Sequence, residues 1–222
     1  VIAFEWSWEL FRSSLPDLLD ALWLTVQVTV LASLVALVVG WLWVAGTRPA
    51  SRTVRWSVRG MLEFLRDTPP IVHLLVVFYA FPSFGLSWSG FVVGVVVLGV
   101  HYSTFVAEIY RGGLAGIPQG QWEAARVMGL STARTWRSVV IPQVLREALP
   151  SLGNTVLALF KETSLLVAIS VPVLMTVAQR TGTASFRYFE PLTAAALLYL
   201  TITLPFGLLL RRLESRYAHR RH

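Results

Sequence analysis

The stretch Pro118–Pro142, PQGQWEAARVMGLSTARTWRSVVIP, separates two apolar regions. It is too polar to cross a bilayer and too patterned to be a linker. Trp122, Ala125 and Met128 recur every third residue, one face of a helix over Gln119 to Met128. Gly129 follows, as glycine does at the left-handed end of a helix. Ser131 is placed to cap a second helix, Thr132 to Val140. Pro118 opens the unit and Pro142 closes it. The reading is a compact helical hairpin carrying Arg126, Arg134 and Arg137, built to dock onto something beside a membrane.

The composition fits that setting. Of 222 residues, 55% are hydrophobic and 14% charged, more apolar than soluble domains of this length. Cysteine is absent, which excludes disulfides and thiolate metal sites. The net charge of +7 does not imply nucleic acid, because the arginines fall in clusters between apolar runs and not on one basic face. The single lysine, Lys161, follows Phe160, so no glycine-rich Gly-Lys-Ser/Thr phosphate loop exists. ATP-driven work would need a separate subunit.

Taken in order, residues 1–20 alternate aromatics and charges (Trp6, Trp8, Phe11, Arg12, Asp17, Asp20), the pattern of an interfacial segment and not of a signal peptide. Five spans follow: Leu22–Ala45, Met61–Phe81, Trp88–Ala107, Leu149–Val171 and Pro191–Leu210. The second contains Glu63, Arg66 and Asp67, then Thr68-Pro69-Pro70, where a kink is expected. Arg180 and Arg187 fall in an outer loop. Fourteen of the nineteen Lys and Arg fall in the segments assigned to the cytoplasm: Arg48 to Arg59, Arg111 to Arg146 and Arg211 to Arg221. Arg12, Arg180 and Arg187 fall outside; Arg66 and Lys161 are intramembrane. That asymmetry sets the N-terminus outside and the C-terminus in the cytoplasm. No internal repeat suggests an inverted-repeat carrier.

His101, Thr104 and Glu108 share one helical face of the third span. Polar groups there are functional candidates by default. Two readings stay open for Glu108, a pathway residue or a partner of Arg111 at i+3, and for His101, a pathway residue or a packing histidine. Lys161-Glu162-Thr163-Ser164 interrupts the fourth span. Either Lys161 pairs with Asp67 and Glu162 with Arg66, or one of them meets a zwitterionic solute. Phe78, Tyr79, Tyr102 and Phe160 offer stacking surfaces for a cation or ordinary packing. His73 and His101 sit on different spans, and no metal site or Ser-His-Asp set is expected.

Glu123-Ala124-Ala125, Gly129 and Val139-x-Ile141-Pro142 resemble the EAA loop of bacterial ABC importer permeases, with Val139 and Ile141 where Ile and Leu are usual. Phe64 to Pro69 resembles the FxRGTP signature of the polar amino-acid branch (histidine, glutamine, glutamate), with Asp67 in place of glycine. His101 to Gly113 resembles SAYxAEIxRGG, and Lys161 to Leu165 resembles KDTSL with Glu162 for the aspartate. The stretches HYSTF, GQWEAA, FKETSLL and FRYFEP look most like permeases assigned to ectoine and hydroxyectoine.

The resemblance, covering about Leu15 to Tyr217, implies an all-α membrane protein, the transmembrane domain of a type I ABC importer in a bacterial cytoplasmic membrane. It implies coupling through Glu123, Ala124, Ala125, Gly129, Ile141 and Pro142 to a dimer of ATPases that hold ATP and Mg, this chain itself being no enzyme. It also implies a second permease subunit, identical or paralogous, and an extracytoplasmic solute-binding protein. The pathway for a small polar solute would run past Thr68, His101, Tyr102, Thr104, Glu108, Lys161, Glu162 and Thr163. The competing expectation is an ATP-independent carrier or channel.

Overall fold

The computed structural model describes residues 5–47 and 51–218; Arg48, Arg220 and Arg221 lie outside them, as do residues 1–4 of the N-terminal segment. The first helix, α1 (Trp8–Gly46), is capped by Ser7, whose hydroxyl accepts from the Leu10 N–H at 3.2 Å. Its 39 residues make about 58 Å of helix at 1.5 Å per residue, against a hydrocarbon core of about 30 Å. Residues 8–20 and the apolar run from Leu22 are therefore one unbroken helix, with Pro16 inside it.

The second span does not run as one helix. α2 (Arg52–Asp67) is amphipathic and ends at Thr68, and the chain then turns by 99° into α3 (Pro70–Leu75). A π-helical turn (Val76–Ala80) and a 3-10 turn (Phe81–Phe84) complete this arm. The kink lies where the tandem prolines placed it. The expected span Met61–Phe81 is corrected: Glu63, Arg66 and Asp67 precede the bend, on α2, and so are not charges carried through the apolar part of a span. The physical cause is the pair Pro69-Pro70, which removes two N–H donors and holds Thr68 extended, φ −91° and ψ 132°.

α4 (Gly90–Ala115) packs along α1 through small residues. A Cβ on Gly99 would lie 2.7 Å from Val35, and one on Gly40 2.6 Å from Val106, so the two backbones approach more closely than larger residues allow. Trp43 Nε1 donates to Ser103 Oγ at 2.8 Å across the same seam, and Trp41 stacks on Tyr110 with centroids 4.3 Å apart. Overpacking this contact has a definite cost. Gly99→Leu is expected to destabilise the protein by about 1–3 kcal/mol, read as a lower melting temperature in detergent, whereas Gly112→Ala, with open space at its Cβ, should leave it unchanged.

α5 (Gln119–Val127) and α6 (Thr132–Thr135) form the hairpin. Its second arm differs from expectation. α6, a π-helical turn (Trp136–Val140) and α7 (Ile141–Glu162) run on as one helical rod, so Pro142 does not close the unit and the fourth span begins in the hairpin. The π turn ends two residues before Pro142, and the proline has no N–H to give to the Ser138 carbonyl within that turn. At its other end α7 breaks at Glu162 into a 3-10 helix (Thr163–Ile169), the interruption expected at Lys161–Ser164.

The segment read as a loop around Arg180 is a helix, α8 (Leu174–Ser185). Its first N–H, at Leu174, donates to Thr25 Oγ1 of α1 at 3.0 Å. α9 (Phe189–Ala218) returns to the hairpin end. At its start the fully buried Glu190 accepts from Arg187 Nη2 at 2.5 Å and from the Ser7 N–H at 3.0 Å, which ties the N-terminal turn to the corner remote from the hairpin. The described residues contain four helices long and apolar enough to cross a membrane, or five when the bent pair counts as one span.

Candidate functional site

The hairpin is built from a capped and a buried part. Gly129 adopts φ 69°, the left-handed conformation that costs glycine nothing. Around it the Leu130 N–H bonds to the Ala125 carbonyl and the Gly129 N–H to that of Arg126, both at 3.0 Å, the double closure of a Schellman end. Ser131 Oγ then accepts from the Arg134 N–H at 3.4 Å, as its N-cap position requires.

Trp122 and Ala125 face the bundle, Trp122 edge-on to Trp136 with centroids 5.6 Å apart and Ala125 fully buried. Met128 departs from the expected face. It caps α5 outside the helical geometry and is 66% exposed, beside Val127 at 89%. Glu123, Ala124, Val127, Met128 and Gly129 are all exposed. Two large apolar side chains at the tip of a membrane protein's polar hairpin are surface that a partner would cover. Behind the tip the unit is tied to the spans. Gln143 Nε2 reaches Gln121 Oε1 at 3.5 Å, and Val144 of α7 packs at Gly113 of α4. Ile141 and Pro142 are half-buried at the root of this lever.

The second set of candidates lies along α4, α7 and the bend. Glu108 meets both Arg66, at 3.2 Å, and Arg111, its i+3 neighbour. It is 46% exposed and stands at the end of the face whose other members, His101 and Thr104, are buried. Glu108 thus makes the i+3 pair with Arg111, and a second pair with Arg66. The expected pairs Arg66–Glu162 and Lys161–Asp67 are not formed. Arg66 pairs with Glu108 and with Asp67 at 3.5 Å, because the bend at Thr68 ends α2 before it can run beside α7. Thr68 itself is half-buried at that bend, and its N–H closes α2 on Phe64.

The hydroxyls of Thr104 and Thr163 are buried and donate to carbonyls of their own turns, His101 at 2.8 Å and Phe160 at 2.6 Å. They fill the core of the helix contacts. Tyr102 is buried and interacts with Glu162, whose second oxygen, Oε2, is buried with no hydrogen-bond partner. Lys161 is exposed and makes no ion pair among the described residues. The four aromatics do not converge on one cage: Phe78 packs on Tyr79, and Phe160 on Tyr199.

The sequence separates His73 from His101, but the fold brings them together. His73, placed on another span, has its ring 5.9 Å from that of His101, brought there by the 99° bend. Both ring nitrogens of His73 and Nδ1 of His101 are buried without partners. No third metal-ligating side chain joins them among the described residues. The available signal was His73 standing three residues after Pro70, on the apolar arm that follows the proline kink.

Residues 36–219 match the family described as binding-protein-dependent transport system inner membrane component. The probable amino-acid ABC transporter permease protein y4tG of Sinorhizobium fredii is 34% identical over 199 residues, 90% of this chain and 86% of that one. The glutamine transport system permease protein GlnP of Escherichia coli K12 is 32% identical over 214 residues, 96% and 98% of the two chains. Among solved structures, that of an amino acid ABC transporter with histidines superposes with a TM-score of 0.85 at 30% identity, covering 96% of this chain and all of that one. An inward-facing structure of the MetNI methionine ABC transporter shares the fold, with a TM-score of 0.71 at 21% identity over 89% of this chain and 96% of that one.

Proposed function

The chain belongs to the family of binding-protein-dependent transport system inner membrane components, and from that premise we propose that it moves a polar amino acid, or a related zwitterionic compatible solute of the ectoine type, into the cell. It is the permease subunit of an ABC importer of amino acids. ATP and Mg belong to a separate ATPase dimer, and this chain does no hydrolysis. A binding protein delivers the solute on the side away from the hairpin. The C-terminus and hairpin face the cytoplasm, where the arginine clusters lie. The 39-residue α1 exceeds the bilayer core, which leaves Trp6, Trp8 and Phe11 at the outer interface as an aromatic anchor.

One observation carries the pathway. Lys161 lies within the candidate span Thr132–Ile169 and is exposed on the protomer surface. A lysine there is costly against lipid, so its face is turned to a second permease subunit or to water. Glu162, with its free carboxylate oxygen, is the next residue and meets Tyr102. We place the solute path along this face, with Lys161 and Glu162 offering one charge of each sign to a zwitterion. His101, Thr104 and Thr163 shape the wall, while Thr68 and Glu108 belong to the bend and its ion pairs. The coupling surface is Glu123, Ala124, Ala125 and Gly129, rooted at Ile141 and Pro142.

The test is ATPase activity of the assembled transporter in lipid nanodiscs, with its binding protein, over a panel of ectoines and of basic, acidic and amide amino acids. Stimulation by one solute class is the expected result. A preparation that carries no stoichiometric ATPase, or that no solute stimulates, points instead to an ATP-independent carrier.

A further inference from the structure

At the end remote from the hairpin, a cavity of about 410 Å³ opens between α8 and the 3-10 helix. Thr176, Arg180 and Ala184 stand at successive i, i+4 positions of α8 along its wall, with Gln179 and Thr183 beside them. The other wall is Val167 and Ser170. No acidic side chain lines it.

Three features of this cavity bear on what it can hold. Thr176 is 3% exposed, and its hydroxyl has no hydrogen-bond partner. Buried hydroxyls elsewhere in the chain, such as Thr25 and Thr29, are satisfied by the carbonyl four residues back. Thr176 lies in the first turn of α8, and its hydroxyl does not bond the Val173 carbonyl three residues back, which the Val177 N–H occupies. Second, Ser170 holds φ 57°, a left-handed conformation unfavourable for a residue with a Cβ. Its carbonyl accepts from Arg180 Nη2 at 3.3 Å. That conformation ends the 3-10 helix, with the Val171 N–H on the Leu166 carbonyl at 3.2 Å and the Ser170 N–H on that of Val167 at 3.1 Å, and it holds the Ser170 carbonyl toward Arg180 at the cavity wall. Third, Arg180 is exposed and its bond to Ser170 is the one it makes among the described residues, so most of its five N–H donors have no protein partner.

We propose that this cavity binds the carboxylate of a small solute, paired to the Arg180 guanidinium and hydrogen-bonded by the Thr176 hydroxyl, as an outer subsite distinct from the Lys161–Glu162 face. A guanidinium presents parallel donors matched to a carboxylate, and a recessed hydroxyl supplies a third. The recess favours a small molecule over a protein surface, since Thr176 lies below the reach of a flat contact. An amino acid delivered by the binding protein would meet this cation before the intramembrane charges. The identity of the ligand as transported solute rests on the reading above; the anion site itself does not.

The chain has no cysteine, so Ala184→Cys introduces a single thiol into it at the cavity wall. The assembled transporter in nanodiscs is labelled with methanethiosulfonates carrying a sulfonate or a trimethylammonium, each rate divided by that for a free thiol in solution. The sulfonate is expected to be favoured about tenfold, as one unscreened cation nearby implies, and the preference should vanish in Ala184→Cys/Arg180→Gln. Acetate should slow labelling where acetamide does not, and Thr176→Val should weaken that protection. Equal normalised rates, no labelling by either reagent, or a preference that survives Arg180→Gln overturns the proposal. So does protection by solute-free binding protein with none by acetate, which would assign the cavity to protein docking. These readouts need no ATPase turnover, so a failure here is separable from a failure of the importer reading.

Discussion

Gly129→Pro is expected to abolish solute uptake while leaving the protein inserted and assembled in the membrane. Proline is held near φ −65°, and this position requires φ 69°. The Leu130-to-Ala125 and Gly129-to-Arg126 closures are then both lost, the latter because proline has no N–H. The tip of α5 would unwind, but the spans would not, since α4 and α7 pack on each other independently of the tip. Uptake should fall by at least about tenfold, equivalent to ~1.4 kcal/mol, and ATP hydrolysis should lose its dependence on solute. Glu123→Arg tests the same surface without touching the backbone, because Glu123 is exposed at the tip. Full transport in both variants would sink the docking assignment.

Glu162 carries the second large effect. Glu162→Gln keeps the shape and removes the charge, leaving Lys161 as the one ionised group on that face. Uptake should drop by about tenfold or more if the carboxylate meets the solute in the transport cycle, since hydrogen bonds to charged groups contribute about 1.5–3 kcal/mol. Glu162→Asp should retain transport, because the carboxylate is kept one methylene shorter. A purely structural Glu162 gives a different pattern. Folded yield would then fall together with uptake, and the surviving protein would be stimulated by solute as strongly as the parent.

The hairpin was the most legible part of the sequence, because its determinants are local. A left-handed glycine, a serine cap and the spacing of Trp122 and Ala125 are fixed within a dozen residues. The kink at Thr68-Pro69 was legible for the same reason. What the kink does to the polar groups was not. Pairing Arg66 with Glu162 assumed that α2 continues into the bundle, whereas the turn of 99° delivers Arg66 to Glu108 and His73 to His101. Pro142 misled in the opposite direction. Proline reads as a stop, but a π-helical turn just before it absorbs the missing N–H and the helix runs on. α8 was hidden by its composition, since a short helix rich in Thr, Gly and Ser has little periodicity to announce it.

The exposed tip of the hairpin is expected to sit on an ATPase subunit. Because the chain is free of cysteine, Val127→Cys places one thiol in it at an exposed position of that tip. Val96→Cys, on an exposed apolar position of α4 away from the tip, is the control. The measurement is the yield of cross-link to the co-purified ATPase with a short thiol-to-amine reagent, with and without ATP. A cross-link is expected from position 127, its yield changing on ATP binding, and none from position 96. An intact complex in which position 127 gives no cross-link, or no more than position 96, would contradict it.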